Sequence, residues 1–578
     1  SSGTYLLNPG SGENLNATGD LDVNISPTTD AGVIIKGDPG ASPTDTQDKI
    51  GQVGLTDRVL DIISGGPVTL DTVTIQNGSA PASNDIGGGI QDANNVPLTL
   101  VNSVVRANHA AQGGGGIGSI GQLTLTDSVI GGNSASDANS GRVGGGISAV
   151  QPVNMTRSTV RHNVATLSAN ATFDQDAGGG VSISGTDATI TDSTIADNQV
   201  VAADTVDSAL AGGIQVTNAN LTMTGSTISG NSLTGGTTAY GAGMVFTGGN
   251  ASTSTILNST ISGNSVAGAG AGRYTGGLEV DDEALLTLAQ STVTGNTSPT
   301  APAGISSTSL AGPVTLRGDL INQGLTACNA PLTAFTANSF NADAGQSCVG
   351  PHGDTDKDNA GAFLLDPLAL NGGSTQTQAI AATSSAFDAV PAASCVAADG
   401  TTPLTVDQRG AERPTGAACD AGAYERVTCG GFLPMLLGGP GNDTLNGTLF
   451  QDVIVGSAGN DTIDAKAADD ALCGGSGNDT LTGGTGQDQI FGDAGNDTVL
   501  AKDGVADTID CGPGTDTATF DHGLDTVSGC EIDTDAPPVT GGGGGTVIPP
   551  VTKRKCKKGK KLRKVHGKKK CVKKKRKK

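Results

Sequence analysis

Asp192–Asn198 reads DSTIADN, a seven-residue phrase with polar ends and one apolar residue at its centre. The phrase recurs as NSVVRAN at Asn102–Asn108, DSVIGGN at Asp127–Asn133 and RSTVRHN at Arg157–Asn163, then as GSTISGN at Gly225–Asn231, NSTISGN at Asn258–Asn264 and QSTVTGN at Gln290–Asn296. Its closing Asn residues are 25, 30, 35, 33, 33 and 32 apart. A Gly-rich phrase interleaves with it, ending at Ile90, Ile117, Ile147, Val181, Ile214 and Leu278. Between the two lies an alternating segment such as Leu123-Thr124-Leu125-Thr126. Each period therefore holds three short strands joined by turns.

Strands this short cannot bury a face alone. Stacked about 4.8 Å apart, they share one continuous interior. Ile, Val and Leu point inward; Thr, Ser and Asp point outward. The pattern specifies an all-β chain whose first part is a right-handed parallel β-helix, and it argues against disorder. The recurring Asn is expected to take the left-handed turn conformation and to hydrogen-bond along the coil axis. The variable coil length places insertions such as Ala165–Asp176 in outward loops.

Composition agrees. The 578 residues include 90 Gly but only 4 Tyr, 10 Phe and no Trp, which suits thin stacked layers rather than a bulky aromatic core. Charge is segregated. All 56 acidic residues precede Cys556, whereas 18 of the 33 Lys and Arg lie in Lys553–Lys578, so the body carries 15 − 56 = −41 and the tail +18. Ten Cys without tight C-x-x-C pairs favour disulfides over zinc. Sequence neighbours are the expected partners: Cys328/Cys348, Cys395/Cys419, Cys429/Cys473, Cys511/Cys530 and Cys556/Cys571. No apolar run is long enough to span a bilayer, and a monomer is expected.

The first 426 residues resemble the right-handed β-helix "choice-of-anchor Q" family of bacterial surface proteins. The likeness rests on Gly3-Thr4-Tyr5, Glu13-Asn14-Leu15 and Thr18-Gly19-Asp20-Leu21-Asp22 near the start. It is stronger at the end, in Asn371-Gly372-Gly373-Ser374-Thr375-Gln376-Thr377, Ala386-Phe387-Asp388, Asp407-Gln408-Arg409-Gly410, Arg413-Pro414 and Cys419-Asp420-Ala421-Gly422-Ala423-Tyr424-Glu425. The family's preceding C-S-L-R-E-A-I segment is missing, and the chain is expected to be a mature or trimmed form. The resemblance implies a surface location and a β-helix, and it implies no reaction.

From Gly438 to Glu531 the period changes. Asp recurs at 443, 452, 461, 470, 479, 488 and 497, always nine apart, with an apolar residue two positions later. This is similar to the RTX (hemolysin-type) nonapeptide G-G-x-G-x-D-x-U-x, in which Gly-rich turns and Asp bind several Ca2+ ions in a parallel β-roll. Calcium takes six to eight hard oxygens, more than one turn supplies, so stacked turns share each ion. A true period of 18 follows. The better turns build one ledge from Asp443, Asp461, Asp479 and Asp497 with Gly438, Gly441, Gly456, Gly459, Gly474, Gly477, Gly492 and Gly495. Asp452, Asp470, Asp488 and Asp507 form the opposite ledge, whose poorer turns predict a weaker site.

The β-helix offers one constellation resembling an enzyme site. Asp127 and Asp192 flank Arg157 in neighbouring coils, a candidate glycan contact; the bland reading is a self-neutralising surface ladder. Pro537–Thr552 reads as a flexible linker with stiffer ends. The Lys-rich tail points to an anionic cell-wall or envelope polymer, and no aromatic interleaves its lysines as nucleic-acid stacking would require. The expected organisation is a β-helix over 1–310, its C-terminal extension over 311–428, a β-roll over 429–536, a disordered linker over 537–552 and a basic tail over 553–578. The expected function is a non-enzymatic, extracellular, calcium-binding, adhesin-like surface protein. The alternative is a lyase or glycosidase acting on polysaccharide.

Overall fold

The computed structural model describes most of residues 58–322 and 363–534 and, outside these ranges, only short strands. The chain divides into two compact units, Ser1–Arg426 and Val427–Lys578. Among the described residues there is no α-helix, and no helix is long and apolar enough to cross a membrane.

In the first unit each strand pairs in parallel with its counterpart one coil away. Val104–Arg106 lies between Val73–Gln76 and Val129–Gly131, for example. Three long sheets result, of 11, 11 and 12 strands. We number them I, II and III; they pass through Ile117–Ser119, Leu123–Thr126 and Val129–Gly131 respectively. The centre of the heptad phrase forms one in-register column, Ile75, Val105, Ile130, Val160, Ile195 and Ile228. Every member is fully buried. This parallel β-helix is what the alternation requires, because register sets which face every side chain takes.

Two details differ from the sequence expectation. Residues after the recurring Asn also pair, giving a seven-stranded sheet through Ser134–Asp137, and a four-stranded sheet passes through Gly113–Gly114. Ala135, Ala165, Leu167, Val200, Leu210 and Leu233 pack there as a small core of their own. Hence Val164–Leu167 is a strand rather than the start of an outward loop; residues 169–176 of that insertion lie outside the described residues. Secondly, the left-handed residue is the one before the Asn, as at Ala107 (φ 52°), His162 (φ 53°) and Asp197 (φ 55°), not the Asn itself. The Asn is spent on hydrogen bonding instead. Asn108, Asn133, Asn163, Asn198, Asn231, Asn264 and Asn296 form a buried ladder in which each Nδ2 donates to the next Oδ1 at 2.8–3.0 Å. Each Nδ2 also donates to a strand carbonyl, as Asn198 does to Val160 at 2.9 Å. Each Oδ1 takes a backbone N–H as well, as Asn198 Oδ1 does from Asn163 at 3.1 Å.

The segment after the coils folds back on sheet III. Thr375 Oγ1 donates to the Gly225 carbonyl (2.8 Å), Asn258 Nδ2 to the Val406 carbonyl (2.7 Å) and Thr260 Oγ1 to Gln408 Oε1 (2.6 Å). Arg413 donates to Gln290 Oε1 at 2.8 Å. Two buried ion pairs, Arg409–Asp407 (2.7 Å) and Arg413–Glu425 (3.1 Å), hold the segment together, with Arg409 stacked on Tyr424. The motifs Asn371–Thr377, Asp407–Gly410 and Cys419–Glu425 thus build one clamp.

In the second unit two six-stranded parallel sheets face each other. Strands pair at a separation of 18, as in Thr462–Asp464 with Thr480–Thr482, or 19 across the inserted residue. Ile454, Leu472, Ile490 and Ile509 fill the interior from one sheet, Ile463, Leu481, Val499 and Ala518 from the other. Disulfides join Cys395–Cys419, Cys429–Cys473 and Cys511–Cys530. Cys328 is also disulfide-bonded; Cys348 and Cys556 lie outside the described residues, as do Gly3–Asp20 and the 537–552 linker. In the basic tail Lys560–Val565 and Lys568–Lys573 pair as an antiparallel hairpin.

Candidate metal centre

Pairing at 18 stacks every second nonapeptide, so Asp residues superpose at two corners of the roll. On the first ledge the Asp443 N–H donates to Asp461 Oδ1 (2.7 Å), Asp461 to Asp479 (2.7 Å) and Asp479 to Asp497 (2.8 Å). The series continues from Asp497 to Asp516 (2.8 Å) and from Asp516 to Glu531 Oε2 (2.9 Å). On the second ledge Asp452 donates to Asp470 (2.7 Å), Asp470 to Asp488 (2.9 Å), Asp488 to Asp507 (2.8 Å) and Asp507 to Asp525 (2.9 Å).

One carboxylate oxygen of each Asp is thereby used. The other is not. Oδ2 of Asp461, Asp470, Asp479, Asp488, Asp497, Asp507 and Asp516 is buried without a hydrogen-bond partner. The end residues differ: Asp443 Oδ2 accepts the Gly439 N–H, Asp452 Oδ2 the Thr448 N–H and Asp525 Oδ2 the Asp521 N–H. Burial, with acidic neighbours adding to it, pushes the carboxyls of Asp461, Asp470, Asp479 and Asp497 up to about 6 and that of Asp507 to about 7. Asp488 and Asp516 are raised by burial too. Buried polar atoms are normally paired. Seven orphaned acceptors in two files therefore fit a cation.

The glycines make room for these oxygens. A Cβ on Gly456 would fall 2.4 Å from Asp461 Oδ2, and one on Gly474 2.5 Å from Asp479 Oδ2. Gly438 and Gly492 hold the same position before Asp443 and Asp497. The fourth positions Gly459, Gly477 and Gly495 carry the close contact between turns, whereas a Cβ on Gly441, in the first turn, would meet nothing. At Gly477 (φ 134°) a Cβ would meet the Gly459 carbonyl oxygen at 1.8 Å. Among the described residues no three acidic, His or Cys side chains converge on one point, so a hard cation here must draw most of its oxygens from turn carbonyls.

The glycine-poor ledge keeps the same register. Lys466 (φ 83°) and Ala468 (φ 92°) occupy positions where other turns have glycine, a strained choice for residues with a Cβ. The carboxylates of both ledges are placed alike, and the first ledge also carries left-handed residues with a Cβ, Ser457 (φ 79°) and Asp493 (φ 63°). Asp516 and Asp525 extend the two ledges; continuing the nine-residue count reaches both. Glu531 closes the first ledge off that count and carries no periodic signal.

In the β-helix, Arg157 pairs with Asp127 through both carboxylate oxygens, at 2.7 and 2.8 Å. Those contacts raise the Arg157 guanidinium further, the Asp127 hydrogen bond first. Asp192, one coil on, is raised by burial, and its Oδ1 would lie 2.3 Å from a Cβ on Gly225. Among the described residues no ion pair joins it to Arg157.

Two families match the chain. Residues 154–321 match the right-handed β-helix region. Residues 437–472 and 474–505 match the RTX calcium-binding nonapeptide repeat, a model of four copies. No curated protein and no solved structure matches. The chain thus combines a right-handed β-helix with RTX calcium-binding repeats.

Proposed function

We propose that this is an extracellular, non-enzymatic surface protein of the choice-of-anchor Q type, with an adhesin-like role, whose β-roll folds and stiffens on loading calcium. The observation that carries the reading is the double file of unpartnered carboxylate oxygens. Asp461, Asp479, Asp497 and Asp516 on one ledge, and Asp470, Asp488 and Asp507 on the other, would hold the ions together with turn carbonyls. Bound calcium supplies positive charge where seven carboxylates would otherwise repel. Such ions are scarce in cytosol and abundant outside cells, so folding of the roll is coupled to export. The disulfides support the same compartment. The clamp built on Asp407–Arg409 and Arg413–Glu425 supports the anchor-Q reading. The basic tail would attach the chain to an anionic wall or envelope polymer. Limited proteolysis of the full chain tests this. Residues 437–530 should resist cleavage in millimolar calcium and be cut in chelator, while residues 98–320 resist in both; equal resistance of the roll in chelator overturns the reading.

A further inference from the structure

Charge in this chain is concentrated in two neighbouring segments of opposite sign. Cys429–Asp535 holds 19 acidic and 2 basic residues, a net 2 − 19 = −17 within 107 residues. The 428 residues before it carry 13 − 37 = −24, a far lower density. Lys553–Lys578 carries +18 and no acidic residue. The tail therefore matches the roll almost charge for charge.

The roll cannot neutralise itself. Of its two basic side chains, Lys466 pairs with Asp464 at 2.5 Å, away from both Asp files. Oδ2 of seven file residues is buried without a hydrogen-bond partner. Further carboxylates stand beside the second file in reach of solvent: Asp469 is exposed, Asp503 and Asp521 half-exposed. They accept backbone N–H groups, as Asp469 does from Gln487 (2.8 Å) and Asp503 from Gly486 (3.0 Å). Among the described residues none of the three pairs with a basic side chain. The outer carboxylates and the file are coupled: the Asp488 carboxyl is raised by burial first, and by Asp503 and Asp469 as well. A cation at either place is felt at the other.

Reach permits the tail to be that cation. Sixteen residues, Pro537–Thr552, join the roll to the tail. A Gly-rich segment of that length reaches about 20–24 Å. Six strands about 4.8 Å apart make each sheet of the roll about 24 Å long. A tether of this length presents the tail to the roll at a roughly millimolar effective concentration.

We propose that the calcium-free roll is a docking surface for the chain's own tail, Lys553–Lys578, and that calcium releases the tail. The inference rests on the calcium reading above. Lysine ammonium groups are strongly hydrated point charges, so they engage the outer carboxylates around Asp469, Asp503 and Asp521 and leave the buried oxygens to calcium. Pairing of this kind follows charge density and needs no fixed geometry, so it holds with the coils loosened in the absence of calcium. Each calcium ion adds two positive charges beside the carboxylates that hold the tail. The coupling is reciprocal: calcium weakens docking by the factor by which docking weakens calcium. In calcium-poor cytosol the tail is thus kept from other polyanions, and outside the cell the loaded roll frees it for the envelope polymer.

The full chain is treated with a carbodiimide, which joins lysine to a carboxylate in contact with it, at low salt in chelator and in calcium. An equal mixture of ordinary and isotope-labelled chains separates links within one chain from links between two. Links within one chain from the tail to the roll, those to Asp469, Asp503 and Asp521 among them, should fall about fivefold or more in calcium. A second chain, with every Lys and Arg of 553–578 replaced by Gln, should take up calcium at about a tenfold lower concentration in titration calorimetry. That difference should vanish in about 1 M salt, where charges more than about 3 Å apart are screened. Links mainly between chains, links mainly outside Cys429–Asp535, or links unchanged by calcium overturn the proposal. Equal calcium affinity of the two chains at low salt also overturns it, and with uptake intact leaves the calcium reading standing; no uptake by either chain removes both.

Discussion

The β-helix and the β-roll both stack a repeated polar residue at a corner, coil upon coil, about 4.8 Å apart. The β-helix uses Asn and the roll uses Asp. In both, a side-chain oxygen accepts a backbone N–H from the neighbouring coil: Asn198 Oδ1 from Asn163 (3.1 Å), Asp479 Oδ1 from Asp461 (2.7 Å). The second atom then decides the outcome. Asn198 Nδ2 donates to Val160 O and Asn231 Oδ1, and the ladder closes on itself. Asp479 Oδ2 has nothing to donate and no donor in reach. Exchanging one amino group for one oxygen turns a self-sufficient solenoid into one that waits for a cation.

The largest effect expected from this comparison is chelation. Calcium withdrawal should abolish the cooperative melting of the roll and leave that of the β-helix unmoved. Calorimetry of the full chain in calcium and in chelator separates the two, since each site filled at a hundredfold its Kd contributes about 2.7 kcal/mol. Next, Asn198→Ala should destabilise the β-helix by about 3 kcal/mol, because it strands the Asn163 N–H and the Val160 carbonyl in the interior. That loss should be the same with and without calcium; a calcium-dependent loss would tie the two units together energetically. A third variant crosses the two chemistries. Asp461→Asn, Asp479→Asn and Asp497→Asn together should leave a first ledge that stays folded in chelator, measured by proteolysis, and gains little from calcium.

The pH dependence carries a sign that sharpens the contrast. The raised carboxyls, at about 6 for Asp461, Asp470, Asp479 and Asp497 and about 7 for Asp507, hold protons more tightly folded than unfolded. In chelator the roll should therefore gain stability as pH falls from about 7 towards 4, and lose it as pH rises through about 6. In calcium the trend should reverse, since the ion competes with the proton for the same oxygens. Thermal melts across that range check it. Smallest is Lys466→Gly, which should stabilise the roll by about 1 kcal/mol by relieving a left-handed residue with a Cβ. The same change at Lys502, which has no positive φ, should stabilise nothing.

Much of this was legible beforehand. The heptad phrase located the inward column from Ile75 to Ile228, and the nine-residue count located both Asp files. Three of the expected neighbour pairs form disulfides, Cys395–Cys419, Cys429–Cys473 and Cys511–Cys530. What escaped has a common cause. The left-handed residue at Ala107, His162 and Asp197 varies in type, so no letter marks it. Lys466 and Ala468 lie in one of the poorer turns, where strands on either side impose the register and the backbone takes a left-handed conformation without glycine. Asp127, Arg157 and Asp192 appeared as one constellation, but only the first two pair.

By itself the sequence determined most of what repeats: the two solenoids, their register, the inward columns and the two Asp files. Each coil sees the same neighbours, so one period contains the physics of all of them. Only the tertiary structure decided where the repetition is broken. The clamp contacts on sheet III include separations of 123 to 182 residues, from Gln290–Arg413 to Ser226–Gln408. No local pattern encodes which coils it covers. Those contacts bury the sheet from Gly225 onward and leave Arg106 and Arg161 open to solvent. Exposure is a property of what folds over a surface, and a periodic sequence is silent about that.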